Sequence, residues 1–94
     1  MKLRLTLDAE RQLDAIERHI RSENPQAAVR VLREIFEALE LLTQYPAIGR
    51  PGRREGTRVW VVRGRPYIVV YEASEEYDEL VVLSVYHGAR NRLS

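Results

Sequence analysis

The chain has 94 residues, 45% of them hydrophobic and 31% charged, with a net charge of +1. That is one domain with a modest core, and its composition is that of a globular chain and not a disordered one. No cysteine is present, which rules out disulfide and thiolate chemistry and fits a reducing, cytoplasmic setting.

Residues 2–7, Lys-Leu-Arg-Leu-Thr-Leu, alternate polar and apolar with the period of a half-buried strand. Thr6 or Asp8 can cap the following helix. Over 8–22, Ala9, Leu13, Ile16 and Ile20 form one apolar stripe. Asn24-Pro25 then places an N-cap before a proline at the first helical position. A second helix over 25–44 carries its stripe on Ala28, Leu32, Ile35, Leu39 and Leu42. Tyr45-Pro46 ends it, because the residue before proline avoids helical backbone. Val29, Phe36 and Leu41 lie away from that stripe, so Val29 and Phe36 are candidate apolar contacts for a partner.

Three strands are predicted next, over 57–62, 66–73 and 79–87. The order β-α-α-β-β-β makes an α+β domain, with a helical hairpin on one face of a small, mainly antiparallel sheet. Tyr67-Ile68-Val69-Val70-Tyr71 and Leu80-Val81-Val82-Leu83 are apolar on both faces. Two helices can cover only one face, so a partner segment is expected on the other. No leader pattern precedes the first strand, and no apolar run approaches the length of a membrane span.

The charge is unevenly placed. Residues 49–65 hold six Arg against one Glu, while the segments on either side are net acidic. Arg50, Arg53, Arg54 and Arg58 form the centre of this cluster, and Arg90 and Arg92 add charge near the end. Guanidinium groups make bidentate pairs with carboxylate or phosphate, so an anionic partner is expected. Trp60 fits a core position better than a base-stacking platform. His87 fits a strand-capping or partner-contacting role, with the parity of Val81, Leu83 and Val85, while His19 fits a solvated helix edge. Two isolated histidines give no metal-ligand spacing, and no glycine loop leads into a helix. No metal or cofactor is called for.

The run Asn24-Pro25-x-Ala27-Ala28, then Leu42-x-x-x-Pro46-x-x-Gly49-Arg50-Pro51-Gly52-Arg53, Gly56-Thr57-Arg58, Tyr67-Ile68-Val69-Val70-Tyr71 and Val85-x-His87-Gly88-Ala89-Arg90 resembles the ParE toxins. These belong to the RelE/ParE superfamily of bacterial toxin–antitoxin systems, and the resemblance covers nearly the whole chain. It implies a toxin that binds and poisons DNA gyrase and is neutralised by a ParD-like antitoxin in a hetero-oligomer. RelE-like relatives instead cleave messenger RNA in the ribosome. In those nucleases the strand matching Ile68–Tyr71 typically begins with Arg, and many end in an aromatic acid/base or a His-Tyr pair. Here Ile68 and His87-Gly88 stand in those places, and an apolar residue offers no charge-assisted bond to a phosphate. The resemblance therefore implies a binding toxin that makes no direct contact with nucleic acid. Arg50, Arg53, Arg54, Arg58, Tyr71, His87, Arg90 and Arg92 are the expected target- or antitoxin-binding residues. Arg58 and His87 would be the catalytic candidates of a nuclease, and an inactive, antitoxin-binding fold is the third alternative.

Overall fold

A computed structural model describes residues 1–89. Its elements are β1 (Lys2–Leu5), α1 (Leu7–Arg21), α2 (Pro25–Gln44), β2 (Arg50–Pro51), β3 (Arg58–Val61), β4 (Tyr67–Ser74) and β5 (Glu79–His87). The strands form one sheet in the order β1-β5-β4-β3-β2, with β1 parallel to β5 and the other pairs antiparallel. The sequence reading missed only β2, a two-residue strand too short to leave a periodic trace.

Both helices begin on side-chain caps. Thr6 Oγ1 accepts from the Ala9 N–H at 3.1 Å, and Asn24 Oδ1 accepts from the Ala27 N–H at 3.1 Å. Each cap satisfies a donor that the first helical turn would otherwise leave free. Thr6 also ties the strand-to-helix joint to the sheet, because its hydroxyl donates to the Leu83 carbonyl.

Helix α2 buries Ala28, Val31, Ile35, Leu39 and Leu42, one face at helical spacing. Of these, Val31, Ile35, Leu39 and Leu42 join one cluster with Ala9 and Leu13 of α1 and the sheet residues Val69, Tyr71, Leu80, Val82 and Val85. Trp60 packs against the rim of this cluster, as expected for a core residue.

A register shift at Val70/Tyr71 matters for the site. Tyr71 pairs with Val82, but Val70 pairs with Ser84, so Leu83 is the extra residue of a bulge in β5. The bulge reverses the side-chain alternation along β5. His87 and Val85 therefore share the helix-covered face with Val82 and Leu80, not with Val81 and Leu83 as simple parity had it.

The turn after β3 is anchored to α2. Arg65 Nε and Nη2 both donate to Glu34 Oε2, at 3.1 and 2.5 Å. The Arg65 hydrogen bond, more than the nearby charges of Arg65, Arg30 and Arg33, holds the Glu34 pKa below its ordinary value against the opposing effect of desolvation. A lowered folded-state pKa contributes stability above the unfolded carboxylate pKa and loses it as pH falls through the folded value. Thermal melts from pH 7 to pH 3 should therefore show wild type ahead of Glu34→Gln at neutral pH, with the gap closing in acid. A gap that stayed constant across this range would rule out the ion pair as its source.

Candidate functional site

The arginine loop runs from the end of α2 to the start of β3. Its far end is closed by the Gly52 N–H donating to the Thr57 carbonyl at 2.8 Å. The Thr57 hydroxyl donates to the Arg54 carbonyl, and Gly56, at φ 86°, supplies the left-handed residue of the turn. Arg53 and Arg54 project from this turn and are exposed. Arg50, on β2, pairs with Val59 of β3 and lies on the same side of the sheet.

That side is the one the helices leave open. Between the loop and the sheet lies a groove of about 880 Å³ with a floor of Val59, Ile68, Val70, Leu83 and Tyr86. Arg50, Arg53 and Arg54 line its rim, and Ser84 and Thr57 contribute hydroxyls. The second apolar face therefore has a physical account, since the chain's own loop shelters part of it. Among the described residues no carboxylate lies within 4.0 Å of these three guanidinium groups. Among the described residues, the groove lining contains no imidazole and no carboxylate. It can bind an anionic, partly apolar segment.

Arg58 and Tyr71 are placed differently. They are direct partners across β3 and β4, on the helix-covered side. Arg58 Nη1 donates to the Gly49 carbonyl at 2.9 Å and to the Ala47 carbonyl at 3.3 Å. Tyr71 is fully buried. Its hydroxyl accepts from the Gly49 N–H at 3.0 Å and donates to the Pro46 carbonyl at 2.7 Å. Burial pushes the Tyr71 phenol pKa up, outweighing the opposite pulls of the Gly49 hydrogen bond and Arg58. The phenol keeps its proton and hence its bond to Pro46. Tyr71 offers no surface to a partner in this structure.

His87 pairs with Tyr67 across the sheet, its ring edge-on to the tyrosine at 5.5 Å, and its Nδ1 accepts from the Ala89 N–H. It is absent from the groove lining. Arg58 and His87 sit opposite Tyr71 and Tyr67, four residues and roughly 13 Å apart along β4. The fold does not bring this pair together on one phosphate. Arg90 and Arg92 lie outside the described residues.

Val29 and Phe36 of α2 are 62% and 41% exposed and seven residues apart, which puts them on one flank of the helix. Tyr86 is the groove residue the sequence reading overlooked. The clue was its place opposite Ile68, hidden by the bulge that shifts the parity of β5. Among the described residues no group of three or more His, Asp or Glu could hold a metal ion, and no helix is long and apolar enough to cross a membrane.

A helical hairpin on a mixed sheet is also the fold of known toxins. The chain superimposes with a TM-score of 0.80 on a chain of the chromosomal ParDE toxin–antitoxin system of P. aeruginosa, at 24% identity, covering 93% of this chain and 95% of that one. On the RelBE2 toxin–antitoxin complex of Mycobacterium tuberculosis the TM-score is 0.67 at 29% identity, covering 92% and 95%. The architecture is that of the RelE/ParE-fold toxins. The chain belongs to the ParE toxin family of type II toxin–antitoxin systems (parDE), which matches residues 3–92. It is also 43% identical over 82 residues to the Sinorhizobium fredii protein Y4kP, a toxin by its provisional name, covering 87% of this chain and 85% of that protein.

Proposed function

We propose that this ParE-family chain inhibits DNA gyrase by binding it through the arginine-rimmed groove, and that a ParD-like antitoxin neutralises it. Fold alone does not choose between a gyrase poison and a nuclease. The observation that carries the choice is the chemistry of the groove: cations on the rim, an apolar floor, and neither carboxylate nor imidazole among the described residues that line it. Cleavage of RNA through its 2′-hydroxyl needs a group to take that proton and an acid for the leaving oxygen. Docking onto a protein needs apolar area ringed by charge. The purified chain is expected to block supercoiling by gyrase and to accumulate cleaved DNA, with no cut transcripts in translating extracts. Intact supercoiling at saturating protein would refute this reading.

Tyr86 gives the nuclease alternative its one specific support, since its phenol shares the groove with the three arginines. Tyr86→Phe separates the two. A nuclease would lose transcript cutting, whereas a gyrase binder would cut no transcripts in either form and would still block supercoiling through the retained ring.

The antitoxin is expected to lie across the hairpin, where Val29 and Phe36 expose apolar surface that a partner helix or strand can bury. Phe36→Asp should weaken antitoxin binding by about 2 kcal/mol, roughly the value of a buried aromatic contact, while leaving gyrase inhibition intact. Calorimetric titration with the antitoxin checks the first part. Equal affinity for wild type and variant would move the antitoxin to another surface.

A further inference from the structure

Residues 46–49 form the first part of the arginine loop, and side chains from two strands fasten them. We propose that Arg58 and Tyr71 are positioning residues that hold the arginine loop in its target-binding posture, so that Arg58 serves the site without touching the target. The functional half of this proposal rests on the gyrase-binding reading above.

The geometry is specific. One nitrogen of Arg58 reaches two carbonyls, those of Ala47 and Gly49, while the Tyr71 hydroxyl takes the Gly49 N–H and gives its proton to Pro46. Gly49 thus has both its backbone N–H and its carbonyl held by side chains from neighbouring strands. A Cβ at Gly49 would collide with the Tyr71 ring and hydroxyl, so the backbone lies directly against the phenol. Beyond this clamp the loop has its own Gly52–Thr57 closure. That bond fixes the shape of the turn but not its direction. Direction comes from where the segment joins the sheet, at the Gly49 clamp and the short pairing of Arg50–Pro51 with Arg58–Val59 that directly follows it. Arg58 is on the face opposite the groove, so its charge is spent on loop carbonyls and not on the rim. A lysine ammonium holds the two carbonyls less firmly, because its donors rotate on a flexible stem and are not pre-organised as those of a planar guanidinium are.

Amide hydrogen exchange and gyrase inhibition, measured on wild type, Arg58→Ala and Arg58→Lys, test the proposal. In Arg58→Ala the Gly49 and Gly52 amides should exchange about tenfold faster, the scale of one lost charge-assisted bond. The core amide of Val69 should not change, and Arg58→Lys should fall between. The half-inhibitory concentration should rise about tenfold in Arg58→Ala, and combining it with Arg53→Ala should cost clearly less than the product of the single losses. Unchanged loop exchange would overturn the clamp, whatever the target is. Faster exchange with fully multiplicative losses would make Arg58 a contact in its own right and would overturn it too. A wild-type chain that leaves gyrase untouched would instead sink the functional reading. The exchange data would then still decide the clamp, with growth inhibition replacing gyrase in the cycle.

Discussion

Tyr71→Ala should destabilise the protein by about 3–5 kcal/mol, the cost of emptying a buried aromatic site, and Tyr71→Phe by about 1–3 kcal/mol. The two changes remove different things. Alanine leaves a cavity among the fully buried residues of the sheet and α2, at a position with no accessible surface. Phenylalanine keeps the ring and its packing but deprives the Gly49 N–H and the Pro46 carbonyl of their partner. A buried polar group left unpaired loses its bond to water without replacement, which is why one oxygen atom matters here. Urea titration of the three proteins gives both values, and equal midpoints for wild type and Tyr71→Phe would show that water satisfies those groups instead. The raised phenol pKa adds a second signature. A raised folded-state value gives stability that is complete below the unfolded tyrosine pKa of about 10 and is lost as pH rises through the folded value. Wild type should therefore lose stability in alkali more steeply than Tyr71→Phe.

The same residue marks the limit of what the sequence discloses. Helix α2 was legible to the residue, because an Asn-Pro start, an apolar stripe and a Tyr-Pro stop all agree with its span of Pro25–Gln44. The three long strands were legible within a residue or so, since runs of β-branched residues between turn signals leave few alternatives. Side-chain direction in β5 was not. One extra residue at Leu83 reverses the alternation, and nothing in Leu-Val-Val-Leu-Ser-Val-Tyr-His announces it. That is why Tyr86 went unnoticed on the groove floor and why the parity assigned to His87 failed. Arg58 was visible as a cation on a strand, but whether a guanidinium faces a partner or its own backbone depends on loop carbonyls nine and eleven residues upstream. Composition can place charge on a segment. It cannot say which charges the fold consumes.

That distinction sets the expected outcome for the arginine cluster. Arg50→Ala/Arg53→Ala/Arg54→Ala should abolish growth inhibition and raise the half-inhibitory concentration against gyrase by at least about 100-fold, since charge-assisted bonds contribute about 1.5–3 kcal/mol each. The melting temperature should hardly move. All three side chains are exposed and none is ion-paired among the described residues, and surface changes of this kind usually stay within about 0.5 kcal/mol each. Arg58 is deliberately left out. Replacing it together with Arg53 and Arg54 would release the Ala47 and Gly49 carbonyls and confuse a lost contact with a displaced loop. The pair of measurements is what gives the test its force. Lost toxicity with an unchanged melt assigns the rim to the target, because a change confined to exposed cations then has no structural route to the effect. Retained toxicity would move the target to another surface. The groove would then be left to the antitoxin, whose affinity for the same triple variant should have fallen instead.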